Sequence, residues 1–274
     1  MGVARHLDPI EMMRLLWSHR ALVWHLTRRE VEGRYRGSFL GLFWSFLHPL
    51  VLLALYTFVA GVIFRARWPE SPGGGLADFA LVLFCGLVVF NLLSECATRA
   101  AGLIVAVPNF VKKVAFPLEV LPLSVLGSAL FHGSLGLGVL LVLCLWTRGS
   151  LPWTVVLLPV MALPLVLFSL GLSWLLASLG VFLRDLALVV PLLLQVLFFA
   201  TPIIYPAESV PERLRPLLSL NPVTWVVESF RSAIFRGMPP DTTALLAWTL
   251  AAALAMMAGY AWFMKTKKGF ADVM

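Results

Sequence analysis

Few side chains in this sequence have a type and spacing suited to chemistry, and most of those lie within apolar runs. Glu95 and Arg99 are four residues apart near the end of such a run, so on a helix they can pair with each other. His48 and His132 lie deeper in apolar sequence. Imidazoles placed there could relay protons, or could simply hydrogen-bond between helices as neutral rings. None of the runs carries a central pair of carboxylates, which weakens both ion-coupled transport and hydrolysis at that depth. Cys85, Cys96 and Cys144 are odd in number, lack zinc or disulfide spacing, and read as small apolar packing residues. Gly73-Gly74-Gly75 is the one glycine cluster, and no Lys-Ser/Thr follows it. A phosphate-binding loop is therefore not expected, nor is ATP hydrolysis by this chain alone, and no metal site is suggested.

The elements that must position these groups follow from composition. Of 274 residues, 60% are hydrophobic and only 13% charged, where a soluble domain carries roughly 25% charged residues. The apolar residues fall in runs of about 20, enough to cross a hydrocarbon layer ~30 Å thick. The expected fold is an all-α integral membrane protein. Its six transmembrane helices lie at about 41–64, 79–98, 120–146, 154–182, 186–204 and 244–264. The net charge of +7 and pI near 9.8 reflect basic residues flanking these runs, which fits topology and anionic lipid headgroups rather than nucleic acid.

Two regions are neither spans nor simple loops. Residues 1–38 read as a cytoplasmic interface element, with an amphipathic helix over 8–36 preceding a transmembrane domain at 39–274. Asp8, Pro9 and Glu11 form a start signal, and Ile10, Met13, Trp17, Ala21 and Trp24 recur at helical spacing. Tyr205 to Asp241 is too polar to span and too apolar for a free loop. Two short helices dipping into the membrane, 211–220 and 222–236, suit it, since irregular backbone at that depth must be buried in protein or line water. Small residues at four-residue spacing, Ser169/Ser173/Ala177 and Ser134/Gly138, would allow close helix approach. Phe39, Phe43, Trp44 and Phe46 crowd the start of the first span, as an interfacial belt or as stacking faces for sugar rings.

Placing the N-terminus, the second-to-third connection, the Arg184 turn and the C-terminus on one side gathers 14 of the 21 basic residues there. That side should be cytoplasmic, with both termini on it. No cleavable signal peptide is expected, and the first span would direct insertion. No internal repeat supports an inverted-repeat transporter.

Four stretches together resemble one family. Arg34-Tyr35-Arg36-Gly37-Ser38-Phe39-Leu40-Gly41-Leu42-Phe43-Trp44 with His48-Pro49 is similar to the entry to the first span of type-2 ABC transporter permeases. Asn109 to Pro117 with Leu121-Pro122 resembles their second-to-third loop, and Val181-Phe182-Leu183-Arg184-Asp185-Leu186 the turn before span five. Thr201 to Pro206, with Leu220-Asn221-Pro222 and Phe230-Arg231, resembles their external re-entrant region. Within the family the likeness is greatest to exporters of polysaccharide and polyol phosphate, which handle O-antigen, capsule or teichoic acid.

The resemblance implies a homodimer in the inner membrane. Two ATP-binding partner subunits would carry ATP and Mg, this chain holding no cofactor of its own. The cargo would be a lipid-linked glycan, O-antigen foremost. By position, Asn109, Phe110, Lys112, Lys113 and Phe116 would couple to the ATPase, with Arg184 and Asp185 on the same side. Phe39, Phe43, Phe46, Tyr56, Phe198, Tyr205 and Asn221 would line the path or its gate. Arg28, Arg29, Arg34 and Arg36 could attract the carrier's diphosphate, or could be plain positive-inside charges. Two other readings stay open: an exporter of a small lipid or drug on the same fold, and a proton-coupled carrier or membrane enzyme using His48 and His132.

Overall fold

The computed structural model describes residue 14 and residues 17–36, 41–63, 75–111 and 116–273. All regular structure among them is helical. The helices are α1 (Arg20–Tyr35), α2 (Trp44–Tyr56), α3 (Leu76–Ala100), α4 (Leu121–Arg148), α5 (Leu158–Phe182), α6 (Leu186–Phe199), α7 (Arg215–Ser219), α8 (Pro222–Arg231), α9 (Thr242–Thr266) and α10 (Phe270–Val273). The helix begun by α2 continues as a π-helical stretch, Thr57–Ile63. The start signal expected at Asp8 lies outside the described residues.

Four helical segments are long and apolar enough to cross a bilayer: Leu76–Ala100, Leu118–Arg148, Trp153–Phe182 and Thr242–Val273. They stand where the second, third, fourth and sixth spans were expected. Two apolar helices are shorter, Pro49–Ile63 and Leu186–Phe199. At 14 residues, α6 rises only ~21 Å. The apolar run was expected to stay helical to Ile204. It stops at Phe199 because Pro202 has no N–H to donate and disfavours helical backbone in Thr201 before it. Thr201 turns its hydroxyl back onto the Leu197 carbonyl at 2.7 Å.

The hub is α3. Every residue from Leu81 to Phe90 is buried, as expected of a helix apolar all round. It packs against α4, α5, α6 and α8. Trp174, Leu83, Phe84 and Leu140 are among the largest fully buried side chains. The most extensive helix pair is α5 with α9, and glycine makes it possible. A Cβ on Gly171 would lie 2.6 Å from the Met256 Cα, and one on Gly259 would strike the Gly171 carbonyl. Ordinary carbon contacts need about 3.5–4.0 Å, so only hydrogen fits at this crossing. The small-residue stripes divide. Ser169, Ser173 and Ala177 are buried, whereas Ser134 is exposed and Gly138 faces open space.

Interactions sort the elements to two ends. One end holds Glu30 with Arg99, Glu119 with Lys267, and Phe182 with Phe270. The other holds Asp78 with Arg148, and Thr154 with the Ala233 carbonyl. There Asn221 caps α8 by accepting from Val223 N, and Asp241 caps α9 by accepting from Thr243 N.

The glycine crossing gives a direct test. Gly259→Leu should destabilise the protein by about 1–3 kcal/mol through overpacking, read as a lower thermal midpoint in detergent. Gly138→Leu, on an open surface, should leave the midpoint unchanged.

Candidate functional site

At the end holding Glu30 and Arg99, a cavity of about 1000 Å³ opens between α1, the start of α2, α3 and α4. Its polar wall is one connected cluster. The Glu95 carboxylate, on α3, accepts from Arg34 of α1 at 2.7 Å and from His132 Nδ1 of α4 at 2.9 Å. Arg99, one helical turn from Glu95, reaches it at 3.4 Å, pairs with Glu30 of α1, and donates to Ser128 Oγ of α4 at 3.1 Å. The Tyr35 hydroxyl lies 2.9 Å from His132 Nε2.

These contacts hold the α4 imidazole between side chains of α1 and α3. Nδ1 faces the Glu95 carboxylate at 2.9 Å with Arg34 Nη1 at 3.2 Å beside it, and Nε2 faces the Tyr35 hydroxyl. Two arginines face two glutamates across the cluster. Its geometry serves holding rather than reacting. The carboxylate of Glu95 is already shared by three donors, and the bonds run between three helices, tying α1 across α3 and α4. Leu26 and Thr27 of α1 are buried, and a Cβ on Gly127 of α4 would meet Thr27 Oγ1 at 2.6 Å. The interface helix is thus seated on α4, while its Trp17 and Trp24 stay exposed.

The expected coupling residues lie at the same end. Asn109 is exposed on a single helical turn, Pro108–Val111. Phe110 stacks on Phe116 at 4.4 Å and 11°, and the Arg29 guanidinium stands 6.0 Å from the Phe110 ring. Lys112 and Lys113 lie outside the described residues. Arg184 and Asp185 are exposed in the turn between α5 and α6. Just beyond Phe116, Glu119 is buried, receives Lys267 Nζ at 2.5 Å, and its carbonyl accepts from Trp174 Nε1 at 3.0 Å. The turn therefore runs directly into a joint between α4, α5 and α9.

The four arginines expected to meet a diphosphate differ in their surroundings. Arg28 is exposed and pairs with Glu32 at 2.6 Å, which raises its pKa. Arg29 borders the cavity, Arg34 is committed to Glu95, and Arg36 is exposed. Of the expected path residues, Phe39 lies outside the described residues, as does the side chain of Phe46; so does that of His48, one of the two candidate relays. Phe43 is exposed. Phe198 is buried between Tyr56, at 5.7 Å, and Phe90, at 5.3 Å, an aromatic joint between α2, α6 and α3. The Tyr205 hydroxyl donates to the Phe199 carbonyl at 2.7 Å, and Asn221 Nδ2 donates to Thr201 Oγ1 at 2.9 Å. Sequence reasoning missed three partners: Glu95 for Arg34, Phe90 for Phe198, and Lys267 for Glu119. For the two ion pairs the available signal was a rare charge in or beside an apolar run; the Phe90–Phe198 contact had none.

Comparison with known proteins places these features in a wider set. Residues 21–235 match the family model described as ABC-2 type transporter. The chain is 34% identical over 266 residues to the O-antigen export system permease protein RfbA of Myxococcus xanthus, covering 96% of this chain and 99% of that protein. It is 28% identical to the RfbA protein of Klebsiella pneumoniae, over 91% of this chain and 93% of that one. It is 25% identical to the polysialic acid transport protein KpsM of Escherichia coli, over 76% of this chain and 79% of that protein.

Glu95→Gln should loosen the cluster, because Arg34 and Arg99 lose a charged acceptor worth about 2–3 kcal/mol. Hydrogen exchange across 20–35 should rise relative to α4. A double-mutant cycle of Arg34→Met with Glu95→Gln should return a coupling energy clearly different from zero.

Proposed function

The chain belongs to the ABC-2 type transporter family, and on that premise we propose that it is the transmembrane subunit of an ATP-driven polysaccharide exporter. The carrying observation is the likeness to the Myxococcus xanthus O-antigen permease over 96% of this chain and 99% of that one. The favoured cargo is a lipid-linked glycan of the O-antigen kind. A polymer needs a continuous, weakly binding path, and spans poor in mid-membrane charge suit one.

In this reading the chain sits in the inner membrane with both termini cytoplasmic. The four long helices, together with α2 and α6, make six crossings. Two copies enclose the path, and two ATP-binding subunits dock beneath them. ATP hydrolysis belongs to those subunits. The end with the Phe110–Phe116 stack is the one they engage, and Asn109, Phe110, Lys112, Lys113 and Phe116 receive the stroke, flanked by Arg184 and Asp185. The stroke enters the bundle by two routes: through Arg29 into α1, and through Glu119 into α5 and α9. Arg28, Arg29 and Arg36 remain the candidate contacts for a carrier diphosphate, while Arg34 instead anchors α1. Phe43 and Tyr56 face the path, Phe198 backs it, and Tyr205 and Asn221 belong to the external gate formed by 205–241. The reading that uses His48 and His132 as proton relays is disfavoured by the likeness to permeases of the ABC-2 family.

Lys112→Glu and Phe116→Ala should each leave the chain inserted and its ATPase partner turning over, while surface glycan falls and lipid-linked glycan accumulates inside. Immunoblotting of surface polymer together with ATPase assay reads both. Normal export in both variants overturns the coupling assignment. Export by the chain reconstituted without an ATPase overturns the function.

A further inference from the structure

Resting on the gate reading of 205–241, we propose that Arg231 is a positioning residue. It fixes one leg of the external hairpin, Pro222–Arg236, together with the end of α6, onto α3 as a rigid wall. The other leg, Pro206–Leu220, is then the leaf that moves when the exit opens.

The argument begins with a buried charge. The Arg231 side chain is 0% exposed, a costly place for a guanidinium unless every donor is used. Its Nε donates to the Val82 carbonyl at 3.3 Å and its Nη2 to the Ile203 carbonyl at 3.0 Å. Its Nη1 donates to the Pro202 carbonyl at 2.7 Å and to Glu228 Oε1 at 2.8 Å. Two of these carbonyls are in the irregular backbone that ends α6, and the third is on the hub helix. One side chain thus supplies donors where the helix ladder of α6 has stopped. Gly86 leaves the room: a Cβ there would lie 3.0 Å from Arg231 Nη2 and 3.2 Å from Ile203 Cγ2. The rest of the leg is fastened independently. Thr154 Oγ1 donates to the Ala233 carbonyl at 2.6 Å, Arg148 lies over Phe235 at 4.7 Å, and Val223, Val226, Val227 and Ala233 are fully buried.

The first leg is built differently. Its side-chain hydrogen bonds, among the described residues, close on the leg itself. Arg215 donates to the Val210 and Glu208 carbonyls, and Ser219 to the Pro216 carbonyl. Leu214, Leu217 and Leu220 are exposed, and an open apolar pocket of about 460 Å³ separates the leg from the end of α6. Nothing in this half matches the three-carbonyl clamp next to it, and Asn221 stands at the boundary between the two.

The test uses the complete transporter with its ATPase partner, reconstituted in proteoliposomes. The three native cysteines are buried, so maleimide labelling reports introduced ones. Leu218→Cys, on the leaf and facing the pocket, should label faster during ATP turnover, while Ala233→Cys, in the wall, stays protected. Adding Arg231→Met should remove that protection without any nucleotide. It should also raise leak of a small solute while ATP hydrolysis continues at its former rate. If Arg231→Met does not assemble, Gly86→Leu, which crowds the guanidinium from α3, should give the same loss of protection. Protection of Ala233→Cys that persists in the assembled variant overturns the clamp, whether or not the hairpin is a gate. Ala233→Cys labelling as fast as Leu218→Cys during turnover overturns the division into wall and leaf. Leu218→Cys labelling that ignores ATP while export proceeds removes the gate reading, and the leaf with it.

Discussion

A backbone carbonyl within a hydrocarbon layer can bond only to its own protein. In this chain that constraint is met by unbroken helices wherever the apolar runs allow it. Where they do not, side chains take over, and the places where they do so are the informative ones. After Phe199 the helical ladder stops, and Arg231, Thr201, Asn221 and Tyr205 take up the carbonyls and hydroxyls left around the break. At the opposite end Trp174 and Lys267 do the same for Glu119. The charged residues are therefore placed mainly by the demands of irregular backbone and of one another.

A second consequence is an uneven bundle. α3, α5 and α9 are bound by burial and by glycine crossings that leave no slack. α2 and α6 attach through the aromatic joint of Tyr56, Phe90 and Phe198 and through the clamp at Val82. Rings in edge or tilted contact can slide, whereas a carbonyl striking a glycine cannot. On the proposed wall and leaf, motion between elements falls to α2 and the first hairpin leg, while α1 is tied to α3 and α4 by the Glu95 cluster.

Much of this architecture was legible beforehand. Long apolar helices stand at the runs expected for spans two, three, four and six, because long apolar runs bounded by glycine, proline or charge leave little choice. The helix at the fifth run is shorter than expected: hydropathy counts Thr201 to Ile204 as apolar and does not register that Pro202 disfavours helical backbone at Thr201. The Glu95–Arg99 spacing was visible because it is local. Arg34 with Glu95 is not, being 61 positions apart, and nothing in either neighbourhood names the other. The tightest glycine pair escaped because Gly171 and Gly259 sit singly in their helices, while the conspicuous Ser134/Gly138 pair faces open space. Periodicity reveals a face but not which face is met.

The brevity of α6 bears on the membrane itself. A rise of ~21 Å set against a hydrocarbon layer of ~30 Å leaves a step of ~9 Å, bridged on the protein side by the folded-back turn that Arg231 gathers. Acyl chains bordering that helix must shorten or tilt to meet it. On the proposed six-crossing topology, a thinned annulus follows wherever α6 meets lipid.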